Sequence, residues 1–163
     1  MATDSHHRID VRPATKDDID FMVHLFLELA RQRDPSGEGT DVDAIVQGTR
    51  ATTLEQVQGQ FPNSVTNVIQ FSGERVGRLR VVRTGKEIMI AGIQILPAFQ
   101  SRGIGSAVIG ELIEEATDSA LPLVLEVDKD NLRPESLYRR LGFERYGETE
   151  ATFQMRHRKP SGA

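Results

Sequence analysis

The segment Ile93-Gln94-Ile95-Leu96-Pro97-Ala98-Phe99-Gln100-Ser101-Arg102-Gly103-Ile104-Gly105-Ser106-Ala107 constrains this chain more than any other. An apolar strand enters a turn bearing Gln100, Arg102, Gly103 and Gly105, and an apolar-striped helix opens at once. Such a turn aims free backbone N–H groups and the positive end of a helix at one point, which suits an anion such as pyrophosphate. Glycine lets the main chain adopt unusual φ/ψ and approach a ligand closely. The pattern is not the dinucleotide fingerprint, because Val108 stands where the third glycine belongs. Nor is it a P-loop, because Gly105 is followed by Ser106 with no lysine. Taken alone, the turn is also compatible with an ordinary strand-to-helix connection.

With 163 residues the chain can build one domain with a real core. It has no cysteine, which removes disulfides, thiolate catalysis and zinc–cysteine sites. The net charge is -4 and no basic stripe is present, so nucleic acid is not expected as a partner. No apolar run approaches the roughly 20 residues of a membrane span, so no membrane partner is expected. Met1 to Arg8 is polar, without an apolar signal-peptide core, and a cytoplasmic location is the default. No internal repeat is visible.

Residues 1–7 and 158–163 read as loose tails around one domain, 8–157. Ile9 to Pro13 reads as a first strand. Asp17 and Asp18 then suit the first turn of a helix, whose apolar stripe is Ile19, Met22, Val23, Phe26, Leu27 and Ala30. Pro35 to Thr40 is a flexible break. Residues 41–60 predict one or two weakly amphipathic helices. Strands follow at Val65 to Phe71, Val76 to Val82 and Ile88 to Leu96, the first two joined by a hairpin at Ser72-Gly73-Glu74. The third is nearly continuous in apolar residues, as for a strand covered on both faces, and Gly92 marks a bulge or a close approach. The helix after the glycine turn carries Ile104, Val108, Ile109, Leu112, Ile113 and Ala116. A buried strand at Leu123 to Val127, a short helix from about Pro134 to Leu141 and closing strands at Phe143 to Tyr146 and Ala151 to His157 complete the chain. The class is α/β or α+β, with helices covering a mainly antiparallel sheet.

A second loaded segment is Leu125-Glu126-Val127-Asp128-Lys129-Asp130-Asn131 followed by Leu137-Tyr138-Arg139-Arg140-Leu141-Gly142-Phe143. Asn131 at the helix start and Tyr138 seven residues on fall on roughly one face. Glu126 interrupts an apolar strand. It is either a desolvated carboxylate with a raised pKa, fit to act as a base, or an exposed residue on the other face. His24 reads as a packed or edge residue, His6 and His7 lie in a tail, and His157 has no evident partner.

With both segments in view, the chain resembles the GCN5-related N-acetyltransferase superfamily over about residues 8–157. The resemblance rests on Gln100-Ser101-Arg102-Gly103-Ile104-Gly105 after Leu96-Pro97, and on Asn131…Leu137-Tyr138…Leu141-Gly142-Phe143. It implies a single-domain acyl-CoA N-acyltransferase fold, a mixed, mainly antiparallel splayed sheet with helices on both faces. It implies acetyl-CoA as co-substrate, with no metal. Main-chain groups of Ile93, Gln94 and Ile95 would pair with the pantetheine arm. Amides of Gln100, Ser101, Arg102, Gly103, Ile104 and Gly105, with Ser106, would hold the pyrophosphate. Asn131 would contact the cofactor, and Tyr138 would protonate the departing thiolate. Glu126 matches the base of the ribosomal-protein N-terminal alanine acetyltransferases. Glu87, at the start of the strand before the glycine turn, is the second candidate. Pro134 stands where the family usually has alanine and can move the helix start.

The reaction so implied is direct acetyl transfer to a primary amine. An ammonium protonated near neutrality must lose a proton to a base, and a main-chain N–H on Ile93–Ile95 would hold the developing oxyanion. Residues 41–60 are where an acceptor would be chosen, and the acidic Glu38, Asp41, Asp43 and Glu55 in and just before them either favour a cationic amine or form a solvated face. Residues 35–63 do not resemble the N-terminal peptide acetyltransferases, which favours a small amine over a peptide N-terminus. A homodimer is implied only because the family often forms one. A non-catalytic acyl-CoA-binding regulatory module is the alternative from another class.

Overall fold

The computed structural model describes residues 8–158. The expected tails 1–7 and 159–163, with His6 and His7, lie outside the described residues. The elements are β1 (Ile9–Pro13), α1 (Ile19–Arg33), α2 (Val42–Val57), β2 (Ser64–Phe71), β3 (Glu74–Arg83), β4 (Ile88–Ile95), α3 (Ile104–Ser119), β5 (Leu123–Asp128), α4 (Glu135–Arg140), β6 (Phe143–Glu148) and β7 (Thr152–His157). Seven strands follow the order β1-β2-β3-β4-β5-β7-β6. The β4–β5 pair is parallel, whereas β1–β2, β5–β7 and β6–β7 are antiparallel. The sheet is therefore mixed and mainly antiparallel. The chain divides into two compact units, one formed by residues up to Arg80 with Gly92–Gly105, the other by Val81–Ala91 with the residues from Ser106 on.

In the first unit, Thr15 caps a short 3-10 turn at Lys16–Asp18 that leads into α1. The Thr15 side chain accepts from the Asp17 amide at 3.3 Å, and the Thr15 amide donates to Asp18 Oδ2 at 2.8 Å. These reciprocal bonds form a capping box. Asp18 is not the solvated first-turn acid that its position suggests. It is buried and accepts from both terminal nitrogens of Arg12, at 2.8 and 2.9 Å, and from Arg75 at 3.2 Å. The Arg12 hydrogen bonds, chiefly, hold its carboxyl down at about 2.

Beyond that cap, Met22 and Leu25 pack on Val68 of β2, with Phe21, Leu29 and Leu96 around them. Full burial of each such side chain contributes about 2 kcal/mol. Leu25 lies outside the expected stripe, and Phe26 and Leu27 within it are only half-buried. His24 is exposed. The break after α1 is ordered by Asp34, which accepts from the Ser36 and Thr40 hydroxyls and the Gly37 and Gly39 amides. Residues 42–57 form one helix, capped by Asp41 on the Ala44 amide at 3.0 Å. The β2–β3 turn places Ser72 at φ 50 and Gly73 at φ 85, as a tight primed hairpin turn requires.

In the second unit, Leu123, Leu125 and Val127 are buried, while Glu126 and Asp128 face outward. Phe143 is fully buried, with Tyr138 edge-on at 6.0 Å and His157 edge-on at 5.3 Å. His157 thus has partners, and its Nε2–H donates to the Leu141 carbonyl at 3.0 Å. Helix α4 ends at Gly142, whose φ of 98 is one that glycine tolerates.

Strand β4 is not covered throughout. Ile88 and Ile90 are buried, Ala91 is exposed, and Gly92 to Ile95 are half-buried. Its ladder with β5 pairs Ile88, Met89 and Ile90 with Leu123, Val124 and Leu125 and ends there. The Ile88 amide donates to Pro122 O and the Leu96 amide to Val76 O. Two even-numbered positions of a regular strand turn their amides to the same side, so one irregular step, a bulge, lies between them.

A candidate acyl-CoA site and the family it marks

After β4 the chain makes a 3-10 turn at Pro97–Phe99, then Gln100, and α3 starts at Ile104. Ser101 has φ 63 and Gly103 φ 80. These left-handed steps fold the main chain back on itself and gather its amides, the geometry of an anion nest. Ser101, Arg102 and Gly103 donate to no backbone acceptor among the described residues. Ile104 and Gly105 belong to the first turn of a helix, whose N–H groups have no intrahelical partner. The Gln100 amide differs, because it donates to Pro97 O at 3.2 Å and closes the turn.

The Gln100 side chain is an anchor. Its Nε2 donates to Ile95 O at 3.0 Å and to Gln32 Oε1 at 3.2 Å, while Gln32 Nε2 donates back to Gln100 Oε1 at 2.9 Å. The turn is thereby tied to both β4 and α1. Arg102 stacks over the Phe99 ring at 5.0 Å, and no carboxylate pairs with it among the described residues. That leaves a cation beside the nest. Ser106 is half-buried on the first turn of α3.

Just past the end of β4, Leu96 faces β3 through the bond of its amide to Val76 O. By strand alternation Gln94 faces β3 too, and Ile93 and Ile95 turn their main-chain groups the other way. A Cβ on Gly77 would collide with the Gln94 carbonyl oxygen, which accounts for glycine at that position. Of the three residues expected to pair with a pantetheine arm, Ile93 and Ile95 thus present main chain outward and Gln94 does not.

In the second unit, Tyr138 is buried, with 8% exposure. Burial raises its hydroxyl above the ordinary phenol value, so it stays protonated at neutral pH. The hydroxyl has no hydrogen-bond partner among the described residues, yet is not a buried unsatisfied atom, so it reaches the surface. Asn131 is exposed in the loop before α4, not at the helix start, and its amide donates to Asp128 O at 3.0 Å. Helix α4 begins four residues later, after Pro134, which occupies the cap position without a side-chain bond. The shared helical face expected for Asn131 and Tyr138 does not exist, because Leu132, Arg133 and Pro134 intervene outside the helix.

Glu126 is exposed and lies opposite Gln154 of β7, so the desolvation expected for a buried base does not apply. Glu87 is half-buried at the entry to β4. Tyr146, unremarked in the sequence, stands close enough to both carboxylates to feel their charge. Burial first, then Glu87 and Glu126, raise its hydroxyl, against the pull of Arg156, which lies 5.1 Å over its ring. The β6–β7 register shifts between Arg145 and Gly147, which places Tyr146 at a bulge.

The fold is that of a solved N-acetyltransferase, PaiA from Thermoplasma acidophilum in complex with coenzyme A. The TM-score is 0.72 at 13% identity, over 93% of this chain and 99% of that one. Residues 28–143, well over half of the chain, match the model of the Acetyltransferase (GNAT) family, and the chain belongs to that family. N-alpha-acetyltransferase RimI of Mycobacterium tuberculosis is 35% identical over 95 residues, 56% of this chain and 56% of that protein. An uncharacterized protein of Mycobacterium leprae is 38% identical over 76 residues, 44% of this chain and 21% of that protein. The chain thus spans about a fifth and just over half of these two curated relatives.

Proposed function

We propose that this chain transfers an acetyl group from acetyl-CoA to a primary amine, with a small amine favoured over a peptide N-terminus, and that residues 8–157 act as one catalytic domain. The observation that carries this reading is the Ser101–Gly105 turn, in which the Ser101, Arg102 and Gly103 amides have no backbone acceptor among the described residues and the next two open a helix. A diphosphate accepts from several such N–H groups at once and gains from the adjacent helix dipole. Arg102 adds a cation there. The outward main chain of Ile93 and Ile95 fits an amide-bearing arm laid alongside β4, as an added strand would be. Ser106 and Asn131 join this set on the strength of the family resemblance.

When bound, acetyl-CoA supplies the thioester carbon that acylates. Tyr138 holds a proton at neutral pH on a surface-reaching hydroxyl and is the acid. Glu126 is the first-choice base and Glu87 the second, acting directly or through water on the ammonium proton. A main-chain N–H of Ile93 or Ile95 supplies the oxyanion donor. The reading requires no metal, and it carries with it a cytoplasmic location and a homodimer, which fractionation and light scattering would test.

Tyr138→Phe is expected to lower kcat by about 100-fold, the scale of general acid catalysis, with acetyl-CoA affinity unchanged. Equal turnover would remove its acid role. Gly103→Val, which forces a branched side chain into a left-handed step, is expected to abolish acetyl-CoA binding in a calorimetric titration. Unchanged binding would sink the pyrophosphate site. CoA-thiol release with free-N-terminal peptides set against small amines would separate the two acceptor classes.

A further inference from the structure

The first unit contains a buried positive charge that no carboxylate among the described residues neutralises. Arg78 on β3 is 7% exposed. Its terminal nitrogens donate to Gln94 Oε1 at 3.0 Å and Gln56 Oε1 at 3.1 Å, and its guanidinium carbon lies 5.7 Å over the Phe26 ring. No carboxylate pairs with it among the described residues. A guanidinium has five N–H donors, so these bonds leave three without an acceptor. Arg80, two residues along and on the same face of β3, also lacks a carboxylate. It donates to the Ser64 hydroxyl at 2.9 Å and lies 5.1 Å over Phe61. Burial and the Arg80 charge pull the Arg78 guanidinium down to about 10, which still leaves it charged at pH 7.

A pocket of about 180 Å³ opens onto this charge, lined by Phe26, Thr49, Thr52, Thr53, Gln56 and Arg78. Gly48 and Thr52 form its exposed rim, while Thr53, Gln56 and Arg78 are its buried floor. Arg78 can only donate, so the Gln56 amide must turn its oxygen toward Arg78. That oxygen also accepts from the Thr66 hydroxyl at 2.7 Å. The Gln56 NH₂ is left without an acceptor among the described residues. The pocket therefore offers donors and hydroxyls and no carboxylate. A buried charge costs several kcal/mol unless it is paired, and two neutral amide oxygens do not cancel it.

We propose that this pocket binds a carboxylate of the acceptor, so that the preferred substrate is an amine that also carries a carboxyl group. The inference rests on the acetyl-transfer reading and names its substrate class. A planar carboxylate matches the guanidinium fork, and threonine hydroxyls and the Gln56 NH₂ complete its donors. The pocket is too small for a nucleotide and fits a group of a few heavy atoms. Gln94, which fixes Arg78, lies between Ile93 and Ile95, so the anchor adjoins the strand assigned to the acetyl carrier. The surface acids Glu38, Asp41, Asp43 and Glu55 do not line the pocket, and Asp41 is spent on capping α2. The cationic amine that they suggested in the sequence finds no carboxylate here.

The test uses the full chain and unbranched ω-amino acids from glycine to 6-aminohexanoate, each with its carboxamide and the diamine of equal length. At least one amino acid should exceed its carboxamide and its diamine by about tenfold or more in kcat/KM, and Arg78→Gln should erase the difference while acetyl-CoA affinity is unchanged. Arg78→Lys, which keeps the charge without the fork, should retain part of it. Equal rates for acids, carboxamides and diamines in the unmodified protein would overturn the proposal, and that comparison needs no variant to fold. Calorimetric titration of the same amino acids and of glutarate onto CoA-saturated protein gives a readout independent of turnover. Binding that Arg78→Gln abolishes, without acetylation, would uphold the pocket and defeat the acetyl-transfer reading. No carboxylate binding in the unmodified protein would overturn the pocket even if other amines were acetylated.

Discussion

Asp18 and Arg78 are both buried charges in the same unit, and they are treated in opposite ways. Asp18 is met by two arginines and by the Thr15 amide and hydroxyl, five polar hydrogen atoms aimed at two oxygens. Arg78 is met by two amide oxygens and an aromatic face. The first arrangement is closed, because every strong acceptor site on the carboxylate is used and its charge is balanced. The second is open, with donors to spare and charge uncompensated. A charge kept for folding is expected to be closed; one kept for a ligand must stay open until the ligand arrives.

The largest test of that contrast is Asp18→Asn. It leaves Arg12 and Arg75 converging on a neutral amide and is expected to cost about 3 kcal/mol in denaturant unfolding, the scale for breaking a buried pair. A loss within experimental error would mean that the closed site is decorative. The acid limb is next in size. The folded carboxyl sits at about 2 against an ordinary 3.8, so its contribution is present above pH 4 and fades as pH falls toward 2. That gap corresponds to about 2 kcal/mol, absent in Asp18→Asn, and urea midpoints measured between pH 5 and pH 2 would show it. The smallest effect is expected for Arg78→Met. Removing an uncompensated charge offsets the two lost hydrogen bonds, so stability should change by less than about 1 kcal/mol in either direction. A loss of 3 kcal/mol would place Arg78 beside Asp18 as a structural charge.

The legible parts of the chain were those whose physics is local. The turn before α3 announces itself through Gly103 and Gly105, and the β2–β3 hairpin through Ser72-Gly73, because left-handed backbone is written in residue type. Alternation correctly separated Leu123, Leu125 and Val127 from Glu126 but could not say whether anything covered the Glu126 face. Asp18 was misread because first-turn acids usually serve the helix dipole, and Arg12 and Arg75 come to it from β1 and β3. Arg78 lies in Val76-Gly77-Arg78-Leu79-Arg80-Val81, where alternation assigns arginine to solvent. It is buried under Phe26 of α1 and Gln56 of α2. Thr53 and Gln56, three residues apart in the second half of α2, share a buried face, where polar residues need something to bond. The helix starts within a residue of the position read from Pro134, and Asn131 falls in the loop before it because Pro134 takes the cap position.

Gln32 and Gln100 hold the glycine turn by an exchange between two uncharged amides. A carboxylate at either position would repel the anion that the turn is shaped for, and an ammonium would compete with the turn's own donors. Neither amide titrates, and neither is screened by salt as an ion pair is. The clamp therefore keeps the same grip in dilute and concentrated electrolyte and across the whole range of pH in which the fold survives. Changes in medium reach the anion site through Arg102 and the ligand itself, and leave the scaffold beneath them mute.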